Sequence, residues 1–600
     1  MFAYSADQIR AAEKALLAHE VADDEMMKLA AAAVADTALD MLRAQSSDKV
    51  VVVAGPGGNG GDGLFAATHL LLAGYRVHAV PVATLADGSP KVHEAAWQAF
   101  RAAGGELLGT GELAGLADSA QAPALIIDAI AGLSAGRGLD GAIAEFFHAQ
   151  RRLGTDILAV DVPTGVHCDT GETAPETAAR EAPSTAASAD QDAATCERQP
   201  GDSYVRATVT ISFGAGRLAH AATPSCGKVV IADLQLPQGP RSFAEELAHQ
   251  NSAENTGTGF KQGTVEFFQV PAIATKARAS ASGSATEPPQ APGVPEFQHG
   301  MVGVGSGPGN LEPQPAGDKY SSGVVGLCAG SAAYPGAGVL SAAGAIAATP
   351  SMVRVLGPAE LTRDVVRAHP EAVAHSSVRT AGRVQALVVG PGRGTDISAA
   401  LELEYALRGT QPLVLDADAI TLLAASAQLR ELLRDRASAS PVLLTPHDGE
   451  FQRLADALSA PDQDGSANDA TDRLRTTRAL AAQLNAWVLR KGRITLIASP
   501  DGKLVSVNTG SSWAATPGSG DVLSGILGAF LAEWNAPAAV PKTKHNEAGQ
   551  TDLADVFRRA VVVHSWAAQL AAQTEFGMAP TSASAIATAI PRALAYFSRQ

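Results

Sequence analysis

The sequence predicts an α/β protein of two domains, each a parallel β-sheet wrapped by helices. Three observations carry this. Short, continuously apolar runs such as Lys49–Ala54 (KVVVVA) alternate with stretches of helical periodicity. That is the pattern of strands buried on both faces and joined by crossover helices. Several of these runs end in glycine loops or aspartates, and parallel sheets bind ligands outside the carboxyl ends of their strands. Finally, 600 residues exceed what one hydrophobic core fills.

Taken in order, residues 4–42 read as helix, with Ala, Leu and Met recurring at three- and four-residue spacing. The strand Lys49–Ala54, a glycine loop and a helix from Leu64 to Ala73 follow, then strands at Val77–Val80, Ala124–Ile127 and Ile157–Val160. Residues 172–202, rich in Ala, Thr, Glu, Ser and Asp, read as a low-complexity insert in a domain spanning 1–237. Residues 238–317, rich in Ser, Gly and Pro, read as a flexible linker. A second domain spans 318–600, with strands at Val324–Cys328, Met352–Val355, Ala386–Val389, Pro412–Leu415, Val442–Leu444 and Thr495–Ala498 and a polar insert near 541–552.

Composition narrows the function. With 46% hydrophobic and 18% charged residues the chain is ordinary globular material. A formal net charge of -16 argues against nucleic acid and anionic membrane as partners, since both need a basic surface. Cys168, Cys196, Cys226 and Cys328 form no CxxC pair, which suits a reducing compartment. The first twenty residues are charged and amphipathic, and no run of about 18 apolar residues occurs. A cytoplasmic protein is expected.

The first informative motif is GPGGNGGDG, Gly55–Gly63, between a buried strand and a helix. Glycines there let backbone amides approach a ligand, and the following helix N-terminus favours a phosphate. Two further strand ends carry aspartates: Asp128, before a second glycine loop at Gly132–Gly138, and Asp161, before Val162-Pro-Thr-Gly165. Singly, each aspartate would more often be a turn or cap residue. Together, Asn59, Asp128, Asp161 and Thr164 make an oxygen-rich pocket suited to a hard cation.

The second is Ala515-Thr-Pro-Gly-Ser-Gly-Asp-Val-Leu-Ser-Gly525. Amides of Gly518–Gly520 at a helix start would stabilise charge on a transferred phosphoryl group. Asp521 would accept a proton from a substrate hydroxyl, although aspartate in a glycine turn is commonly an N-cap. Lys491-Gly-Arg-Ile-Thr495 starts a strand and would bring a cation and a hydroxyl to a phosphate. Gly390-Pro-Gly-Arg-Gly394, Asp416-Ala-Asp418 and Thr445-Pro-His-Asp-Gly-Glu450 occupy equivalent strand ends.

GPGGNGGDG, DAIAGLSAGRGL and VDVPTGV, in that order, resemble the NAD(P)H-hydrate epimerase family over residues 4–236 apart from the insert. Gly58 stands where the family has the first of two asparagines, and the second loop is longer than the family's FGTGL. GPGRG, DADAI, TPHDGE, KGRIT and ATPGSGDVLSG resemble the ribokinase-like NAD(P)H-hydrate dehydratases over residues 318–600, with Asp448 and Pro517 as departures. The resemblance implies a Rossmann-like three-layer αβα domain followed by a ribokinase-like αβα domain. It implies that Gly58, Asn59, Gly60, Gly61, Asp62, Gly132, Leu133, Ser134, Ala135, Gly136, Arg137, Gly138 and Asp161 contact hydrated NADH or NADPH. Asn59, Asp128 and Thr164 would bind potassium, with Asp128 assisting proton transfer. Gly392, His447 and Asp521 would contact the hydrate in the second domain, with Asp521 catalytic. Lys491, Gly492, Arg493, Ile494, Thr495 and Gly520 would contact the nucleotide, expected to be ADP with magnesium, ATP being the alternative.

The implied function is repair of hydrated NADH and NADPH, with R and S hydrates interconverted by the first domain and the S epimer dehydrated by the second. A homo-oligomer is expected. The alternative is a small-molecule kinase whose N-terminal domain only binds.

Overall fold

The structure, a computed structural model, describes residues 1–43, 45–118, 120–133, 136, 138–174, 203–253, 264–271, 311–312, 317–349, 352–436, 440–458, 472–536 and 552–598. The chain divides into two compact units, the first comprising Met1–Thr264 with Glu287–Met301 and the second Val265–Thr286 with Val302–Gln600. Most of the insert after residue 174, most of the expected linker, and the insert near 541–552 fall outside the described residues.

The first unit contains β1 (Phe2–Tyr4), β2 (Lys49–Ala54), β3 (Arg76–Pro81), β4 (Glu106–Leu107), β5 (Leu125–Ala129), β6 (Asp156–Val160), β7 (Val209–Phe213), β8 (Gly216–Arg217) and β9 (Lys228–Ala232). Its main sheet runs β4-β3-β2-β5-β6-β7-β9, with every neighbouring pair parallel. A separate parallel contact joins β1 to β8. Apolar side chains from the two faces of the sheet form two core clusters, as the unbroken runs of β2 and β5 require. Successive strands are laid to one side of β2 and then to the other, so a crevice opens at the carboxyl ends of β2 and β5.

Two expectations are corrected here. Residues 4–42 are not one helix: β1 is followed by helices Ala6–Leu17 and Glu25–Leu42. The acidic stretch between them breaks the helix, with Asp24 left-handed at φ 60° and Glu20 accepting from the Met26 amide at 2.8 Å. The helix after β2 begins at Gly58, inside the glycine motif, rather than at Leu64. β7 and β9 carried no strand expectation, because Thr210 and Ser212 interrupt the apolar run of β7 although both are buried.

The second unit contains β10 (Val265–Gln269), β11 (Val324–Cys328), β12 (Met352–Leu356), β13 (Val373–His375), β14 (Ala386–Val389), β15 (Leu413–Leu415), β16 (Val442–Leu444), β17 (Trp487–Arg490), β18 (Ile494–Ala498) and β19 (Leu504–Asn508). Their order is β13-β12-β11-β14-β15-β16-β17-β18-β19-β10. Pairing is parallel except at β17–β18 and β18–β19. Lys491–Arg493 is therefore the turn of an antiparallel pair, with β18 beginning only at Ile494. The stretch read as linker holds the helix Phe243–Ala253 and β10, whose Val265 and Phe267 are fully buried. A Ser/Gly/Pro-rich average concealed that short apolar alternation. Among the described residues no helix is long and apolar enough to cross a membrane.

Candidate active sites

In the first unit, the crevice widens into a cavity of about 870 Å³ lined by Gly58, Asn59, Asp62, Gly132, Leu133, Gly138, Asp161 and Thr164 together with Glu13 and Arg217. Apolar residues from the first two helices, including Ile9, Leu17 and Met27, complete the wall. Asn59 stands at the first turn of its helix, and its Nδ2 donates to Val160 O at 2.8 Å. The Oδ1 is thereby turned toward the second glycine loop. A Cβ on Gly132 would lie 2.5 Å from that oxygen, so only glycine lets the two loops meet.

Asp128 lies beneath this wall, 1% exposed, and is not among the residues lining the cavity. It accepts from Thr164 N at 2.8 Å and from Thr164 Oγ1 at 2.7 Å. Burial raises its pKa to about 6 against those hydrogen bonds. Thr164, not Asp128, reaches the cavity. Asp161 does so as well, in a left-handed conformation at φ 68°. Burial, Asp161 and Glu13 together push the Asp62 carboxyl well above its ordinary range. Ser134, Ala135 and Arg137 lie outside the described residues.

In the second unit, the carboxyl ends of β14, β15 and β16 converge on the N-terminus of the helix Ser519–Trp534. Gly518 precedes that helix at φ 83°. The Ser519 amide, expected to face a phosphoryl group, instead donates to Thr516 O at 3.2 Å, which leaves the Gly520 and Asp521 amides at the helix start for a ligand. Ser519 is fastened from behind: His564 Nε2 lies 3.0 Å from both its Oγ and its carbonyl oxygen. Burial lowers the His564 pKa to about 4, so this histidine is neutral. The strained Ala417, φ 49°, separates Asp416 from Asp418. Asp416 accepts from Lys491 Nζ and from Ser524 Oγ, both at 2.7 Å, and Asp418 accepts from Gly394 N at 2.7 Å.

Lys491 is thus aimed at the anion hole. A Cβ on Gly520 would stand 3.6 Å from its Nζ. Burial opposes its charge, but Asp416 and Glu450 outweigh that and keep its pKa raised. Asp521 has a pKa raised to about 6, chiefly by burial and then by Asp416, with Lys491 opposing.

The remaining expected residues sit differently. His447 caps the helix Asp448–Asp456, its Nδ1 accepting from Gly449 N at 3.0 Å, while the ring is largely exposed. Gly392 takes φ 57° where a Cβ would meet Ala337 at 2.7 Å. The Ile494 side chain is buried in β18 and Arg493 is turned to Asn508 and Thr509. Thr495 Oγ1 donates to Gly492 O at 3.0 Å, which closes the turn. Within Lys491–Thr495, then, the lysine ammonium faces the anion hole while Arg493, Ile494 and Thr495 shape the loop.

A cavity lined by Asn59, Asp62, Asp161 and Thr164 at one sheet's switch point, and a glycine-led helix N-terminus with Asp521 and Lys491 beside it in a second α/β unit, are the arrangement of an enzyme that handles phosphate-bearing small molecules. Family models agree, matching "YjeF-related protein N-terminus" over residues 23–219 and "NAD(P)H-hydrate dehydratase" over residues 325–591. A Corynebacterium glutamicum protein named bifunctional NAD(P)H-hydrate repair enzyme Nnr is 39% identical, covering 99% of this chain and 98% of that one. Counterparts of the same name from Mycobacterium tuberculosis and Mycobacterium leprae are 35% and 34% identical, over 88% and 99% of this chain and 89% and 99% of theirs. A solved Bacillus subtilis ADP/ATP-dependent NAD(P)H-hydrate dehydratase is 25% identical, with a TM-score of 0.36 over 47% of this chain and 94% of that one. The chain belongs to the bifunctional NAD(P)H-hydrate repair enzymes, carrying an epimerase domain followed by a dehydratase domain.

Proposed function

We propose that the second unit restores NADH and NADPH from their S hydrates by ADP-dependent phosphoryl transfer, ATP being the alternative donor, and that the first unit supplies S from R. The observation that supports this most is Asp521, a half-buried carboxyl at the start of the Ser519–Trp534 helix with Lys491 beside it.

The hydrate carries a hydroxyl on the ring carbon next to nitrogen. Asp521 takes the proton as that oxygen attacks the terminal phosphorus, and the nucleotide leaves one phosphate shorter. The Gly520 amide at the helix start and Lys491 bear the charge that develops. The C–O bond then breaks as the ring nitrogen pushes phosphate out, and loss of a ring proton restores the dihydronicotinamide. In this reading Gly392 and His447 border the hydrate, and Lys491–Thr495 with Gly520 border the nucleotide. Both Asp416 oxygens are already engaged by Lys491 and Ser524. Magnesium therefore enters with the nucleotide's phosphates, and no protein ligand is assigned to it.

In the first unit the hydrate's phosphates lie along Gly58–Asp62 and Gly132–Gly138, its ring near Asp161. Potassium fits the donor set of Asn59, Asp128 and Thr164. Thr164 Oγ1 gives its proton to Asp128 and keeps a lone pair, and Asp128 has no ion-pair partner among the described residues. The ion would supply positive charge beneath the substrate's phosphates. Asp128 orders Thr164 and would help hold the ion, which leaves proton movement at the ring to groups that reach the cavity.

Asp521 must be ionised to act. Because its pKa lies at about 6, the base form grows as pH rises through that value, and so does kcat/KM for dehydration. A pH profile on pure S hydrate should show an ascending limb centred near pH 6. A flat profile between pH 5 and 8 would remove Asp521 as the base.

A further inference from the structure

Among the described residues, the side-chain and cross-strand holds on Asp161 come from one short segment that carries no sequence motif, Ile211–His220. Ile211 O accepts from Asp161 N at 2.7 Å, and Ser212 Oγ donates to Asp161 Oδ1 at 3.0 Å. Arg217 Nη2 lies 2.7 Å from the same carboxylate oxygen. Arg217 Nη1 donates to Phe213 O at 3.2 Å and to Ala215 O at 3.1 Å, which ties the guanidinium to its own loop. The side chain is almost wholly buried, so this pair is scarcely screened by solvent.

His220 closes the arrangement through the backbone. Its Nδ1 accepts from Arg217 N at 3.0 Å, which leaves the proton on Nε2, and Nε2 donates to Asp161 O at 2.8 Å. Burial, though opposed by Asp161, lowers its pKa to about 4 and keeps it neutral. Asp161 is thus gripped at its amide, its carbonyl and its carboxylate while its backbone is left-handed at φ 68°. A non-glycine residue held there needs surroundings that over-determine it. The grip points a carboxylate into the cavity that Arg217 also lines.

We propose that Arg217 and His220 are positioning residues for epimerisation, clamping Asp161 in the geometry that meets the hydrated ring. This rests on the reading of Asp161 as a substrate contact. Lysine in place of Arg217 keeps the charge, but its single nitrogen cannot occupy the separate Nη1 and Nη2 positions that face the two carbonyls and the carboxylate, so the clamp loosens without leaving Asp161 unpaired.

The test measures R-to-S exchange for Arg217→Lys, Asp161→Asn and the double variant, with thermal melts of each. Misplacing a reacting group by an ångström lowers rates by up to about 10²-fold. Arg217→Lys is expected to lose about 10-fold or more in kcat/KM in the wild-type background and nothing further in the Asp161→Asn background, because the two act as one unit. An unfolded variant would lose activity in both backgrounds, and equal losses in both overturn the clamp. So does wild-type exchange by Arg217→Lys when Asp161→Asn is impaired. Full exchange by Asp161→Asn overturns the reading beneath it, and the clamp's role with it.

Discussion

Asp521→Asn should lower nucleotide-dependent dehydration of S hydrate by about 10³-fold or more, within the range a positioned base contributes. Asparagine fits the same space at the start of the Ser519–Trp534 helix but cannot take the hydroxyl proton. Fold and nucleotide binding should persist, because Lys491 stays tied to Asp416 and the anion hole stays tied to His564. Epimer exchange, carried by the other unit, should be unchanged. Loss of both activities in a folded variant would contradict the assignment, as would dehydration within 10-fold of wild type.

Asp128→Ala should bring R-to-S exchange down to its spontaneous rate while dehydration of pure S hydrate continues. The substitution removes the one buried carboxylate of the proposed potassium set. It also leaves Thr164 N and Oγ1 without the acceptor that orders them. An orphaned buried donor costs about 1–3 kcal/mol, so a modest fall in melting temperature should accompany the loss. Measured with and without added potassium, wild-type exchange should respond to the ion and the variant should not. Equal exchange rates in the two proteins, both at background, would mean that this unit binds hydrate without epimerising it.

The residues that could be read from sequence are those whose role is set by near neighbours. Asp521 follows two glycines at a helix start, and Asp128 and Asp161 end apolar strands; each signal lies within a dozen residues. The clamp on Asp161 was silent because it depends on β6 and β7 lying side by side, which brings Ser212, Arg217 and His220 from some fifty residues away. Asp128 read as a group facing the ring, yet its carboxylate turns to Thr164, a pairing only the adjacent strand ends reveal. β10 is hidden for a different reason, since a five-residue strand with three buried side chains sits inside a long Ser/Gly/Pro-rich stretch. Lys491 is legible as a phosphate-facing cation, but the two carboxylates beside it, Asp416 after β15 and Glu450 in the helix Asp448–Asp456, lie 75 and 41 residues away in sequence.

The most direct test of repair by two coupled activities is to incubate the purified full chain with a mixture of R and S hydrates and follow dihydronicotinamide absorbance. With ADP and magnesium, the whole pool should return to NADH or NADPH, with inorganic phosphate and the shortened nucleotide as the other products. Without nucleotide, absorbance should stay flat while the R-to-S ratio relaxes to equilibrium. Recovery that stops at the S fraction would contradict the epimerase, and a phosphorylated hydrate that accumulates without restoring absorbance would contradict the dehydratase.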